Sequence, residues 1–237
     1  MKDGRGGPQI IPRPRVWHPG APNPWTDRLT HQDVQLDRVE LALKRVGTEP
    51  LPPELRTALR PPLLSTSSTA AVLVPLFVGD QGETRVLLTR RSTRLRTHSG
   101  EVAFPGGRVD AGETLEQAAL REAHEEVDLP PSHVRIIGRL ESLSTAKHRT
   151  AITPIVGVVN AMPELRPSPV EVDRIFDVAL LDLIHPDCFR EETWQFPDAM
   201  MAVYFFEVPG DTIWGATGRM LHRLLSLLVE PHAGSLP

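Results

Sequence analysis

The chain has 237 residues, 40% of them hydrophobic and 24% charged, with a formal net charge of −4. This length favours one domain with additional segments over two full domains. The negative charge argues against a protein that holds nucleic acid mainly by bulk electrostatics. The single cysteine, Cys188, excludes an internal disulfide framework and a zinc site built on paired cysteines. We predict a packing role for its thiol.

Two further features bear on where the protein works. The longest apolar run, residues 70–78, is far shorter than the roughly twenty residues that span a bilayer. Residues 1–16 lack the apolar core of a secretory signal. We therefore expect a cytoplasmic protein without a membrane or nucleic-acid partner.

The first 69 residues are predicted to form a Pro-rich arm followed by a helix. Residues 1–25 are rich in Pro and Gly, which favours an extended arm, with Trp17 and Trp25 as its anchors. A disordered tail is the alternative. Over residues 33–46, apolar side chains recur at steps of three and four, which predicts a helix that stops at Gly47.

A folded core is predicted over residues 70–230, followed by a tail at 231–237. Three further helices are expected at 114–127, within 178–184 and at 215–229. Strands are expected at 70–78, 85–91, 101–104, 134–142, 152–159 and 200–208, with the fifth interrupted at Pro154. Since no regular βαβ repeat is visible, we predict an α/β protein with a mixed sheet packed between helices.

One predicted helix carries three glutamates on a single face. Thr114 and Gln117 form a capping-box pattern at its start, and Glu122, Glu125 and Glu126 follow at steps of three and four. A solvated acidic face is the plain alternative. Two features favour a divalent cation instead: the acids lie near the helix C-terminus, where the dipole disfavours negative charge, and two glycines precede the helix. Carboxylates and a backbone carbonyl suit Mg²⁺ or Mn²⁺.

The spacing of these residues resembles the Nudix box, G-x5-E-x7-R-E-U-x-E-E-x-G-U. The matching positions are Gly107, Glu113, Arg121, Glu122, Glu125 and Glu126. The resemblance implies an α/β/α sandwich that cleaves nucleoside diphosphates linked to another moiety, with Mg²⁺ or Mn²⁺ as cofactor.

The resemblance also implies roles for individual residues. Glu122, Glu125 and Glu126 would hold metal together with the Gly106 carbonyl, and Arg121 would fix the orientation of Glu113 and of the glutamates. Catalytic roles are thereby implied for Glu122, Glu125 and Arg121. Glu122 is one candidate for the general base. Glu171 is another, because Nudix enzymes can place a catalytic acid on a loop after the box, although an ordinary loop carboxylate is the alternative.

Two positions depart from the pattern. Ala123 stands where a bulkier apolar residue is usual, and Asp128 replaces the final glycine. A glycine after a helix commonly adopts the left-handed conformation, which Asp adopts less readily. We expect some cost in stability and little direct effect on the chemistry.

The stretch before the box, residues 87–107, is dense in arginine, which binds phosphate through a planar fork of donors. A solvated basic loop is the alternative. The stretch resembles the signature of the coenzyme A diphosphatase branch of the Nudix family, L-L-T-x-R-S followed by R, H, G, V and F-P-G-G. Residues 213–221 also look like this branch. The resemblance implies cleavage of coenzyme A or its thioesters to 3′,5′-ADP and a 4′-phosphopantetheine product. The predicted substrate-binding residues are Arg91, Ser92, Arg96, His98 and Phe104.

Several alternatives stay open. His98 could shape its loop or contact phosphate, and Phe104 could belong to the core. Another substrate, such as ADP-ribose, NADH or a dinucleoside polyphosphate, would suit the same box. A Nudix module that binds a nucleotide without cleaving it is disfavoured, because it has no need of all three glutamates. We expect a small nucleotide as the partner, and the N-terminal arm could support a homodimer.

Overall fold

The computed structural model describes residues 5–46, 68–144, 150–197 and 199–229. The predicted C-terminal tail at 231–237 and residues 47–67 of the predicted N-terminal segment therefore lie outside the described residues. Within these ranges the chain forms two sheets and four helices. No helix in the same ranges is long and apolar enough to cross a membrane.

The helices are α1 (Leu36–Val46), α2 (Leu115–Val127), α3 (Leu180–Leu183) and α4 (Gly215–Val229). The strands are β1 (Trp17–Pro19), β2 (Ser68–Val78), β3 (Thr84–Arg91), β4 (Val102–Ala103), β5 (Gly106–Arg108), β6 (Val134–Arg139), β7 (Leu143–Ser144), β8 (Thr150–Val159), β9 (Val172–Ala179), β10 (Phe189–Gln195), β11 (Met200–Val208) and β12 (Asp211–Ile213).

The main sheet has the strand order β4-β3-β2-β8-β6, with β5 beside β2, β7 beside β8 and β9 beside β3. The pair β2–β8 is parallel and the other pairs are antiparallel. Side chains alternate along β2: Ala71 and Leu73 pack against α2, whereas Val74 and Leu76 join the core that includes α1 and α4. This arrangement is the predicted α/β/α sandwich with a mixed sheet.

A second sheet, in the order β1-β10-β11-β12, was not predicted. Its strand β10 has two adjacent glutamates and an arginine, a composition that does not resemble a buried strand. Glu192 is nevertheless buried, because Arg13 and Arg190 pair with its carboxylate and the Trp194 indole donates to it. The distant partner Arg13 thus makes a charged strand compatible with the interior.

The predicted interruption of a strand at Pro154 is wrong, since β8 runs through this residue and pairs it with Val72. On its other side, Pro154 lies opposite the gap between the end of β6 and the start of β7. The Pro154 carbonyl accepts a hydrogen bond there from the Leu140 N–H (2.9 Å). The N–H that proline lacks would therefore fall where the antiparallel ladder is already broken, which makes proline tolerable in a central strand.

The region around the predicted short helix at 178–184 also differs from expectation. The helix is limited to α3, and the residues before it form β9, which pairs with β3. The described part of the N-terminal arm packs on the domain and is not a disordered tail. Trp25 is 1% exposed and contacts Phe189 and Phe206, whereas Trp17 is partly exposed beneath the Arg13 guanidinium.

His222 on α4 makes stability depend on pH. Its ring stacks on Tyr204 with a centroid distance of 3.7 Å. Burial, together with the smaller effects of the Arg223 and Arg219 charges, lowers the pKa of His222 to about 4. Because the unfolded chain then binds a proton that the folded chain does not, stability is full above about pH 6.5 and falls as the pH drops towards 4.

We therefore expect His222→Phe to flatten the pH dependence of the unfolding free energy by an amount on the order of 2 kcal/mol between pH 7 and pH 4.5. Urea unfolding at both pH values measures this difference. The exposed His18→Phe serves as the matched control. An equal slope in wild type and His222→Phe would contradict the assignment.

Candidate active site

The site is built on α2, whose start and end follow from local sequence. The predicted capping box is confirmed: the Thr114 hydroxyl accepts from the Gln117 N–H (3.2 Å), and the Gln117 side chain accepts from the Thr114 N–H (2.8 Å). At the other end, Asp128 adopts the left-handed conformation expected at this position (φ 58°). The buried Ala123 faces the sheet, where its small side chain permits close approach of the helix.

The two glycines of β5 bring backbone directly against the acidic face of α2. The Gly106 N–H donates to Glu126 Oε2 (3.3 Å). A Cβ atom placed on Gly107 would lie 2.4 Å from Glu122 Oε1, so the Glu122 carboxylate occupies the space that any other residue would fill. Only glycine at position 107 is compatible with this close contact.

Arg121 holds the surrounding carboxylates. Its guanidinium donates to Glu113 (2.8 and 3.1 Å), to Glu122 (2.9 Å), to Glu125 (3.2 Å) and to the Arg108 carbonyl (2.9 Å). Hydrogen bonding from Arg121 lowers the pKa of Glu113. These contacts have the geometry of the positioning role that the resemblance implied for Arg121 and Glu113.

Glu126 is the buried acid of the site. Its residue is 4% exposed, and burial raises the pKa of its carboxyl to about 7, with smaller increases from the charges of Glu171 and Glu122. Arg91 offers only partial compensation, since its Nη1 lies 3.8 Å from Glu126 Oε1. The buried Nε of Arg91 has no hydrogen-bond partner among the described residues. The Glu126 carboxylate and the neighbouring Arg91 guanidinium therefore both lack part of their hydrogen bonding.

The donor set fits a hard divalent cation. Burial also raises the pKa of Glu122, with contributions from Glu125 and Glu171, so added positive charge would relieve repulsion among four carboxylates. Carboxylate oxygens beside a glycine carbonyl are the ligands that Mg²⁺ and Mn²⁺ prefer. In the part of the chain that the structure describes, no three acidic, His or Cys side chains already converge as a preformed metal site.

The segment before β9 joins the end of α2 to the arginine-rich stretch. The Ser168 N–H donates to the Glu126 carbonyl (2.8 Å), and the Ser92 N–H donates to the Glu171 carbonyl (2.8 Å). These backbone bonds place Glu171 beside the carboxylates of Glu122, Glu125 and Glu126, here called the acid cluster. The exposed Glu171 side chain makes no hydrogen bond to the described residues. The charge of Glu171 contributes to the raised pKa of both Glu122 and Glu126.

Residues 92–101 form a loop, here called the signature loop, between β3 and β4. Its neck is closed by the Arg91 N–H, which donates to the Glu101 carbonyl (2.9 Å), and by the Gly100 N–H, which donates to the Arg91 carbonyl (3.2 Å). Arg94 Nη2 donates to the Pro169 carbonyl (2.5 Å). The loop therefore closes directly beside the acid cluster and the segment that carries Glu171.

This geometry coincides with a family match. A family model described as the NUDIX domain matches residues 67–193, which include β2 to β9, α2 and the signature loop. The chain belongs to the Nudix family.

Three relatives illustrate the breadth of the match. The chain is 36% identical over 168 residues to "Nudix hydrolase 15, mitochondrial" of Arabidopsis thaliana, covering 68% of this chain and 59% of the relative. It is 34% identical over 211 residues to "Nudix hydrolase 3" of Caenorhabditis elegans, covering 81% and 85%. It is 36% identical over 156 residues to "Uncharacterized Nudix hydrolase NudL" of Photorhabdus laumondii, covering 65% and 82%. The chain thus spans about three fifths of the length of the plant relative.

The predicted substrate-binding residues of this Nudix chain fall into two groups. Arg91 and Arg96 present their guanidinium groups at the site and at the exposed surface of the signature loop, respectively. Ser92 and His98 instead shape the loop: Ser92 is buried and accepts from Arg94, and His98 has a positive φ of 55° and contacts Glu101 (2.8 Å). Both side chains thus make contacts within the signature loop.

Phe104, predicted as a substrate-binding residue, lies elsewhere. Its side chain is 3% exposed and belongs to the core on the side of the sheet opposite α2, because β4 turns it inwards. Cys188 is buried in the same core, and burial raises the pKa of its thiol to about 12, which keeps it protonated as a packing residue.

Sequence reasoning missed the acidic residues that hold the signature loop from outside. Asp173 Oδ2 accepts from the Thr93 N–H (2.9 Å), and this hydrogen bond is the main cause of the lowered pKa of Asp173. Asp211, from the second sheet, contacts Arg90 and Arg174. The motif spacing does not indicate either residue, because each contacts groups that are far from it in sequence.

Proposed function

We propose that this Nudix protein hydrolyses the pyrophosphate of coenzyme A or of its thioesters, giving 3′,5′-ADP and a 4′-phosphopantetheine product. The observation that carries the proposal is the closure of the arginine-bearing signature loop beside the acid cluster, through the Arg91–Glu126 and Ser92–Glu171 contacts. A cluster of carboxylates that suits bridging cations and a loop that carries arginines thus lie next to each other, which supports binding of two separate phosphate groups.

Coenzyme A matches this arrangement because it carries a pyrophosphate and a separate 3′-phosphate. The acid cluster suits the pyrophosphate through bridging cations, since Mg²⁺ recruits phosphate oxygens to complete its shell. The 3′-phosphate needs cationic donors outside that shell. Arg96, which is exposed and makes no hydrogen bond within the described residues, offers such donors.

In the proposed reaction Glu122, Glu125, Glu126 and the Gly106 carbonyl would hold Mg²⁺ or Mn²⁺. The cation, when bound, supplies charge neutralisation and lowers the pKa of a coordinated water. Arg121 keeps Glu122 and Glu125 in position through its hydrogen bonds. The exposed Glu171 carboxylate is unencumbered by hydrogen bonds to the described residues, so it and Glu122 are the two candidates for accepting the water proton.

A product analysis tests the proposal. The purified protein is incubated with Mg²⁺ or Mn²⁺ and, separately, with coenzyme A, acetyl-coenzyme A, ADP-ribose, NADH and a diadenosine polyphosphate. Preferred release of 3′,5′-ADP from the coenzyme A compounds supports the proposal. Preferred turnover of another compound would assign a different Nudix substrate, and binding without turnover would assign a nucleotide-binding module.

Arg96→Ala tests how the 3′-phosphate is read. We expect kcat/KM for coenzyme A to fall about 10-fold, the value of one charge-assisted hydrogen bond, while kcat/KM for 3′-dephospho-coenzyme A stays unchanged. Arg139→Ala, at an exposed position on β6, is the matched control and should leave both substrates unaffected. Equal losses with both substrates would show that Arg96 does not recognise the 3′-phosphate.

A further inference from the structure

The side chain of Gln9 joins the N-terminal arm to the signature loop. Its Nε2 donates to the Gly100 carbonyl (3.2 Å) and to Asp211 Oδ1 (2.7 Å), while its Oε1 accepts from the Thr212 N–H (2.8 Å). One amide therefore joins the arm, the start of β12 and the neck of the loop. Gln9 and both β12 partners lie outside the residues that the family model matches.

Asp211 makes this connection rigid. The residue is 0% exposed, and its carboxylate also accepts from Arg174 (2.9 Å) and Arg90 (3.4 Å). These two arginines are register partners on β9 and β3, so they reach Asp211 from the same face of the main sheet. The Asp211 carboxylate is fully buried and receives charge-assisted hydrogen bonds from both arginines, so it has little freedom to rearrange.

The position of Arg90 links this network to the active site. Arg90 and Arg91 are consecutive on β3, at a shift in its register with β9, and their side chains reach different partners. Arg90 contacts Asp211, whereas Arg91 contacts Glu126. Fixing Arg90 therefore fixes the strand end from which both Arg91 and the signature loop extend.

The arm is held closely enough to act as a support. The Gly6 N–H donates to the Val208 carbonyl (2.9 Å), and the Gly7 N–H donates to Thr212 Oγ1 (3.1 Å). A Cβ atom on Gly7 would lie 2.4 Å from the Asp211 Cα atom. The backbones of the arm and of β12 are thus in direct contact. These contacts fix the backbone that precedes Gln9.

We propose that Gln9 is a positioning residue that clamps the neck of the signature loop and thereby sets the affinity for the phosphate-bearing end of the substrate. The inference rests on the proposed function only for the identity of that substrate. Gln9 does not touch the acid cluster in the described contacts, so its loss should weaken substrate binding and leave the chemical step intact.

Gln9→Met tests the clamp, because methionine keeps the length of the side chain and removes all three hydrogen bonds. The matched control is Ile10→Ala, at the adjacent position of the arm, where the side chain is 91% exposed and the Gln9 hydrogen bonds are kept. Amide hydrogen exchange in the full-length chain is measured for residues 91–101. Steady-state kinetics with coenzyme A and Mg²⁺ are measured in parallel.

For Gln9→Met we expect exchange of the Arg91 and Gly100 amides to accelerate about 10-fold and KM to rise about 5- to 10-fold, with kcat within about twofold of wild type. Ile10→Ala should leave both quantities close to wild type. Unchanged exchange at the neck, an unchanged KM, or the same changes in Ile10→Ala would each overturn the proposal. If wild type does not cleave coenzyme A, the proposed substrate fails, and the exchange measurement still decides whether Gln9 clamps the loop.

Discussion

Glu126→Gln is expected to lower kcat by at least about 100-fold at saturating Mg²⁺, because changes to residues that merely orient metal ligands already cost about 10- to 100-fold. Glu126 is the most buried of the three glutamates on the acidic face of α2 and contacts both the Gly106 N–H and Arg91. The amide keeps the shape of the side chain but removes the charge that a cation needs. Initial rates with the substrate identified by the product panel measure the effect.

Thermal unfolding separates lost chemistry from lost structure. Burial of the Glu126 carboxylate is unfavourable without metal, so Glu126→Gln should be at least as stable as wild type in the presence of a chelator. Mg²⁺ or Mn²⁺ should raise the melting temperature of wild type more than that of the variant. Glu116→Gln, on the first turn of the same helix, is the matched control for charge. Full activity in Glu126→Gln would refute its role as a metal ligand.

Gly107→Ala is expected to reduce activity about 10- to 100-fold while changing stability little. The added Cβ would lie 2.4 Å from Glu122 Oε1, so the Glu122 carboxylate must leave the place where Arg121 holds it. The three atoms nearest to the added Cβ all belong to the end of the Glu122 side chain, so only this side chain has to move and the backbone does not. Activity assays combined with urea unfolding distinguish this outcome from general destabilisation.

A double-mutant cycle isolates the cause. In a Glu122→Ala background the obstructing carboxylate is absent, so Gly107→Ala should add little further loss of activity or stability. Gly106→Ala provides the contrast, because its Cβ would meet the backbone of β2 at 2.5 Å and should destabilise the fold itself. Independent losses from Gly107→Ala and Glu122→Ala would contradict the steric explanation.

Features encoded by neighbouring residues could be predicted from the sequence. The capping box at Thr114, the acidic face of α2 and the left-handed residue after it depend on spacings of one to four residues, and the structure contains all three. The apolar helix α4 and strand β11 were likewise recognisable from their own periodicity. Such local patterns depend largely on residues of a single helix or strand.

Features that depend on distant partners could not be predicted. The charged strand β10 is stable because Arg13 neutralises Glu192 from 179 residues away. Pro154 is acceptable because β6 and β7 leave a gap opposite it. In the site, the motif indicated that arginines and acids lie close together. It did not indicate that Arg90 contacts Asp211 whereas Arg91 contacts Glu126. The orientation of Phe104 into the core was equally hidden, since its motif position favours neither face.

The contacts of the arm also constrain the order in which the chain folds. Gln9 meets Asp211 across 202 residues of sequence, so this bond cannot form on the ribosome until residue 211 has emerged. Closing so long a loop is entropically costly unless the intervening domain has already folded. The neck of the signature loop should therefore reach its native rigidity last. A newly made chain would then acquire its fold before its full affinity for substrate, and a maturation delay between the two would be visible during refolding.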